Sequence, residues 1–300
     1  MISKKTIKIL ISLLAAIFIL IGIIIKEDFS GLNLSSEASI PVENRLEIHY
    51  LDVGQGDSIF IKTPQEQKIL IDGGPDMSIL DQMGKNLSFF DRQIDIMILT
   101  HPHSDHINGL VEVLRRYDVG KIYYTGALHT SPAYFEWLEV IKQKNVSLEI
   151  VKEQRILDLG ADLKLEFLYP FEDLVNKEVE EINNTSIVNK IIYKDKEFLF
   201  MGDAEKEVEQ ELLDLEVDLD VDVIKLGHHG SSSSSSENFL NAVDPDYAII
   251  QVGEDNRFGH PHLSVIRRLE RLGIEIYRND LNGQVSVLSD GEKIEVMTEK

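Results

Sequence analysis

The sequence predicts an α/β (α+β) domain in which two β-sheets pack together with helices on the outside. Three observations predict it. Short apolar or alternating runs that read as strands cluster in both halves of the chain, and helical patterns fall between them. Several of these strands end at polar, chemistry-bearing residues.

The 300 residues contain no cysteine, which excludes disulfides and thiolate metal ligands. The formal net charge of −22 argues against broad electrostatic binding of nucleic acid, since phosphate affinity comes largely from Lys and Arg. It does not exclude a nucleic-acid substrate, because the field at the site matters more than the total.

In order along the chain, Lys4, Lys5 and Lys8 precede an uncharged apolar run over residues 9–25, and Lys26, Glu27 and Asp28 follow it. Counted from Thr6, the run has about the length that spans a bilayer. Basic residues before the span favour a cytoplasmic N-terminus with the rest of the chain outside. A cleaved signal peptide usually has a shorter apolar region that ends at small residues, and Gly22-Ile23-Ile24-Ile25-Lys26 offers no such site. Residues 1–25 are therefore expected to be a cytoplasmic tail and an uncleaved transmembrane signal anchor. Residues 26–44, with Gly31, Ser35, Ser36 and Pro41, read as a linker, and residues 45–300 as the domain.

Within the domain, residues 46–53 alternate as a strand and run into Asp52-Val53-Gly54-Gln55-Gly56-Asp57, a tight glycine turn. Residues 58–62 and 68–71 read as a hairpin ending at Asp72-Gly73-Gly74. Residues 79–90 read as a helix, 94–99 as a buried strand, 107–117 as a helix and 121–124 as a strand. A helix over 134–144 carries Trp137 inward; strands follow at 147–151, 156–159 and 163–168, and residues 172–181 are an acidic helix or loop. The hairpin of 186–193 and 197–201 ends at Gly202-Asp203. A helix over 205–215 leads to a strand over 221–226, closed by Gly227-His228-His229-Gly230. The serines from 231 to 236 read as a solvated loop. A strand over 247–252, a helix over 264–272 and strands at 275–277, 284–288 and 293–297 complete the chain.

Seven of the nine histidines fall in three short motifs: His101, His103 and His106; His228 and His229; His260 and His262. Imidazole nitrogen and carboxylate oxygen are the ligands that Zn²⁺ and similar ions take. His101 and His103 can point to one ion, and Asp105 with His106 to a second. Asp203 could bridge both, with His228 or His229 completing the set. Two such ions can share a hydroxide that is nucleophilic at neutral pH. Asp203 could instead only cap the helix that follows it. Asp72 more naturally shapes its turn and fixes the ligands from behind. His49 and His129 have no ligand-like neighbours in the sequence.

His101-Pro102-His103-Ser104-Asp105-His106 matches the His-x-His-x-Asp-His signature of the metallo-β-lactamase superfamily, and Met201-Gly202-Asp203 its Gly-Asp strand end. The further set of Asp52 to Ser58, Ile71-Asp72-Gly73-Gly74, Asn183 to Ser186, Lys225 to Ser231 and Phe258-Gly259-His260-Pro261 resembles the extracytoplasmic hydrolase domain of ComEC-type DNA-uptake proteins. The resemblance covers residues 45–297. It implies a four-layer αββα sandwich with a metal site between the sheets at one edge. It also implies hydrolysis of a phosphodiester, in DNA or a cell-wall polymer, with one or two Zn²⁺ ions. The implied metal ligands are His101, His103, Asp105, His106, Asp203 and His229. Asp105 and His260 are the implied catalytic groups, with His260 protonating a leaving oxygen or contacting phosphate, unless Gly259-His260-Pro261 only shapes its loop. Asp57, Asp72, Asn184 and His228 are expected behind or beside them. Many members carry a third histidine where this chain has Asn183-Asn184-Thr185-Ser186, so the His101/His103 site would lack it or use an amide oxygen, and a harder ion such as Mn²⁺ fits there. A phosphocholine esterase of the cell wall, a lactonase or β-lactamase, and a non-enzymatic binding module are the alternatives on the same fold.

Overall fold

Fifteen strands form two sheets in the computed structural model, which describes residues 40–300 apart from Val42 and Phe89. The expected anchor lies outside the described residues. Among those residues no helix is long and apolar enough to cross a membrane.

The first sheet contains β1 (Leu46–Tyr50), β2 (Ile59–Lys62), β3 (Lys68–Ile71), β4 (Gln93–Ile98), β5 (Asp118–Tyr124) and β6 (Ser147–Ile150) in sequential order. Beyond β1 it continues with β14 (Val285–Ser289) and β15 (Ile294–Thr298). The second sheet holds β7 (Arg155–Gly160), β8 (Leu163–Tyr169), β9 (Val188–Tyr193), β10 (Lys196–Phe200), β11 (Val223–Lys225), β12 (Tyr247–Ile250) and β13 (Glu275–Arg278). The two sheets repeat one wiring. β1, β2 and β3 are antiparallel neighbours, and β3 to β6 run parallel. β8, β9 and β10 are likewise antiparallel, and β10 to β13 parallel.

The alternation of strand side chains explains the layers. Ile48, Tyr50, Ile61, Ile71 and Ile98 of the first sheet pack against Phe167, Ile191, Phe198, Phe200 and Ile249 of the second. Leu70, Met97 and Ile122 face outward, under α1 (Ser78–Asn86), α2 (Ser104–Arg116) and α3 (Pro132–Lys144), which contribute Met83, Leu110 and Trp137. Leu199, Ile224 and Ile250 do the same under α4 (Lys206–Asp214), α5 (Glu237–Val243) and α6 (Leu263–Leu272). A single-turn α7 (Asn279–Asn282) completes the α-helices among the described residues, and 3-10 turns form at Ile182–Thr185 and Gly227–Gly230. Each large side chain in these layers contributes about 1.5–3 kcal/mol through burial. The expected αββα sandwich is what forms.

Two local readings are corrected. Helix α2 begins at Ser104, not at residue 107, with His103 at its N-cap, so Asp105 and His106 lie in its first turn. Side chains there lean back toward the helix start, which aims both at the end of β4. The serine run is not a solvated loop. Ser234 and Ser235 are buried. The Ser234 hydroxyl donates to the Gly227 carbonyl at 2.7 Å, and Ser236 caps α5, a helix missed because the serines mask its start.

Glycines bring β3 onto α2. A Cβ on Gly109 would lie 1.8 Å from the Gly73 carbonyl oxygen. The Gly73 N–H donates to the His106 carbonyl at 2.8 Å, which sets Asp72 beside the first turn of α2.

Candidate metal centre

The C-terminal ends of β3 and β4 meet those of β10 and β11 at one edge of the sandwich. Asp203, after β10, is buried there. Its Oδ2 lies 3.3 Å from His106 Nε2, 3.5 Å from His229 Nε2 and 3.8 Å from His101 Nε2. His229 Nε2 is also 3.4 Å from Asp105 Oδ2. His101 Nε2 and His103 Nδ1 are 3.0 Å apart. Five of the six proposed ligands thus fall into overlapping groups of three: His101, His106 and Asp203; Asp105, His106 and His229. His103 joins them through His101.

His106 and His229 are each turned by partners behind them. Asp72, buried in the left-handed region at φ 57°, accepts from His106 Nδ1 at 2.8 Å. Its two oxygens also accept from the Thr100 N–H at 2.8 Å and hydroxyl at 2.6 Å. His229 Nδ1 donates to the Gln251 carbonyl at 2.9 Å and lies 3.2 Å from Asp57 Oδ1. These bonds occupy the δ nitrogens and leave His106 Nε2 and His229 Nε2 buried without a hydrogen-bond partner, as is Asp203 Oδ1. Buried polar atoms are seldom orphaned. Unsatisfied ring nitrogens that converge with carboxylate oxygens fit a divalent cation, which they would ligate once deprotonated.

Sequence reading placed Lys225 in a motif but gave it no role; it is fully buried at the end of β11. Its ammonium donates to Asp57 Oδ2 and, at 2.8 Å, to the Gly202 carbonyl next to Asp203. A lysine in a short strand gives no signal of this role without the fold. Gln251 was missed. Its amide donates to the Leu51 and Ser58 carbonyls at 3.1 and 2.8 Å and ties the second sheet to the first.

The remaining expected residues divide. Asn184 is turned away from the centre. Its Oδ1 accepts from the Glu205 N–H at 3.0 Å, at the start of α4. The group of that segment nearest His101 is Ser186, whose hydroxyl lies 3.3 Å from His101 Nδ1 and accepts from the Asp203 N–H at 3.0 Å. His228 Nδ1 pairs with Glu205 at 2.9 Å and Ser233 at 3.1 Å. His260 stands beside both, its ring 5.3 Å from that of His228 and 6.4 Å from that of His229. His129, which has no ligand-like neighbour in sequence, has its ring 6.0 Å from that of His103.

The electrostatics are those of a crowded acidic pit. Burial alone would push His106 and His229 down. Asp203 with Asp72 overrides this at His106 and raises it well above its ordinary value, and Asp203 with Asp57 raises His229 to about 10. Burial likewise opposes ionisation of Asp203, but His229 and His106 hold its carboxyl well below the usual range. His101 is held well below its ordinary value by burial and then by His106. The protons on His106 and His229 are the positive charge that a bound dication would replace.

The fold and this donor set define a class of metal-binding αββα proteins. The metallo-beta-lactamase superfamily matches residues 51–254, and the chain belongs to that superfamily as a metal-dependent hydrolase. ComE operon protein 3 of Bacillus subtilis (strain 168) is 32% identical over 257 residues, which cover 80% of this chain and 32% of that protein. Competence protein ComA of Neisseria gonorrhoeae is 32% identical over 243 residues, with the same shares. The chain thus spans about a third of the length of these relatives. Among solved structures, the CmlA beta-hydroxylase E377D mutant superposes with a TM-score of 0.53 at 14% identity, over 83% of this chain and 54% of that one. Igni18, a metallo hydrolase of Ignicoccus hospitalis KIN4/I, gives 0.50 at 15% over 80% and 98%. At such identities these two speak for the fold alone.

Proposed function

We propose that this chain is a metal-dependent phosphodiesterase that cuts nucleic-acid strands, held by residues 1–25 at the outer face of the cytoplasmic membrane. The observation that carries the reading is the convergence of three imidazole nitrogens on Asp203 Oδ2, in a chain matched over 80% of its length by ComE operon protein 3 and by competence protein ComA. One or two dications, Zn²⁺ or Mn²⁺, would be held by His101, His103, Asp105, His106, Asp203 and His229. Bound there, a dication supplies Lewis-acid polarisation of the phosphoryl group and lowers the pKa of water.

The chain's own groups do the rest. Asp72, Gln251 and Asp57 fix the ε nitrogens of His106 and His229 toward the centre. Asp105 stays ionised despite its burial, because His229 and His106 hold its carboxyl well below the usual range. A carboxyl held so low is a weak base, so Asp105 serves as a charged ligand and as a hydrogen-bond acceptor that orients an attacking water. Burial, then the neighbouring His228 and His229, hold His260 down to about 4. At neutral pH it is an uncharged imidazole, suited to donating a hydrogen bond to a phosphoryl oxygen rather than a proton to the leaving group.

The net charge of −22 favours a second reading, a small or cell-wall substrate. One experiment separates them. The purified chain is assayed for bound metal and for turnover of bis-p-nitrophenyl phosphate, single-stranded DNA and nitrocefin. Turnover of the first two is expected, and its loss in Asp105→Ala and His103→Ala. Turnover of nitrocefin alone would reject the phosphodiesterase reading. The membrane assignment is tested by fractionating cells that express the full chain, and recovery from the cytosol would overturn it.

A further inference from the structure

One cavity opens directly off the metal centre and plays no part in the chemistry above. It has a volume of about 350 Å³ and is lined by Gln55, Ser104, Asp105, Asp255, Asn256, Arg257 and Phe258. Asp105 is the wall it shares with the centre. The loop after β12 carries Phe258, a large aromatic side chain left 50% exposed. Its ring is stacked on the His260 imidazole, with centroids 5.7 Å apart and planes inclined by 23°. The guanidinium of Arg257 lies 5.1 Å from the centroid of the same ring. Arg257 is exposed and pairs with no carboxylate among the described residues, although the chain as a whole is strongly acidic. Gln55, on the glycine turn after β1, lines the same space, and its buried Nε2 has no hydrogen-bond partner.

A half-exposed aromatic ring, an unpaired planar cation and an unsatisfied amide donor suit one class of ligand. A nucleobase stacks on aromatic and guanidinium planes, a phosphate pairs with the guanidinium, and a base carbonyl or phosphate oxygen accepts from an amide. We propose that this cavity is a nucleotide subsite next to the scissile phosphate. The base of an unpaired strand stacks on Phe258 and Arg257 pairs with the flanking phosphate. Gln55 donates to the same nucleotide, and the adjoining phosphodiester is carried to the Asp105–Asp203–His229 centre. Stacking of this kind does not require a basic surface, which reconciles a nucleic-acid substrate with so acidic a chain. The subsite rests on the phosphodiesterase reading and adds to it that the preferred substrate is single-stranded and carries bases.

The test compares two strands of equal length, an oligodeoxythymidylate and its abasic analogue. It uses the full metal-loaded chain and measures KM and kcat separately, with an oligouridylate to distinguish DNA from RNA. The subsite predicts that Phe258→Ala raises KM for the base-bearing strand about tenfold, a typical share for one stacked base. The ratio between the base-bearing and abasic strands should fall toward one, and Phe258→Trp should restore it. Arg257→Gln should raise KM on both strands alike. Phe258 is exposed, so its replacement is not expected to disturb folding. Equal effects of Phe258→Ala on both strands, or none on either, would overturn the subsite while leaving the phosphodiesterase reading intact. Failure of the unaltered chain to cut either strand would remove that reading and the subsite together.

Discussion

Asp72 decides which nitrogen His106 offers. Because its carboxylate accepts from Nδ1, Nε2 is the atom left facing Asp203. Asp72→Asn keeps the shape but weakens the charge behind the ring. It is expected to lower metal affinity about 10–100-fold, as loss of a ligand's outer partner does. Competition with a chromophoric chelator measures this directly. Lys225 acts one step further back, between Asp57 and the Gly202 carbonyl. Lys225→Met strands a buried carboxylate, and loss of one partner of a buried ion pair costs about 3–5 kcal/mol. Denaturant unfolding should show it, and adding Asp57→Asn should restore part of the loss. These two residues also mark how far the sequence could be read. The histidines and aspartates were legible because several ligand-type side chains sit at strand ends within a few positions. Lys225 and Gln251 were not, because only tertiary packing tells that a lysine or an amide in a strand is buried beneath a site.

Among the elements, α2 matters most, because its first turn is part of the centre. Its register depends on contact with the turn after β3, where a Cβ on Gly109 would strike the Gly73 carbonyl. Gly109→Ala should therefore destabilise the fold by about 1–3 kcal/mol, in the range of overpacking, and loosen metal binding as Asp72 and His106 separate. Thermal unfolding and metal titration report the two effects. Strand β1 carries a pH response away from the centre. His49 and Arg45 hold the Glu47 carboxyl down to about 2 against its burial. With the folded value below the ordinary carboxylate value, the contribution to stability is complete above about 4.5. It is lost as pH falls toward 2. A denaturant midpoint followed from pH 6 to pH 2 should fall less steeply in Glu47→Gln. The strands and outer helices were readable from alternation and periodicity. The early start of α2 and the existence of α5 were not, because histidine is a poor capping signal and serine a common loop residue.

For the molecule as a whole, metal is expected to be a structural ligand as well as a reagent. With free dication at about 100 times its Kd, binding stabilises the folded state by about 2.7 kcal/mol. For a domain of this size that is about 5–10 °C in Tm, which a scan with and without chelator would reveal. No such difference would mean that the described centre does not hold an ion. The repeated wiring of the two sheets has a further consequence, in time rather than in space. Asp72 and the His101–His106 segment close one copy of the wiring, and Asp203 with His229 closes the other. Each copy can be completed by its own mostly local strand pairings, whereas the centre needs both copies docked and the distant contacts between them made. Metal capture should then be among the last events of refolding, later than the recovery of secondary structure. Stopped-flow mixing with a metal-sensitive dye would time it as a slower phase than the far-UV signal.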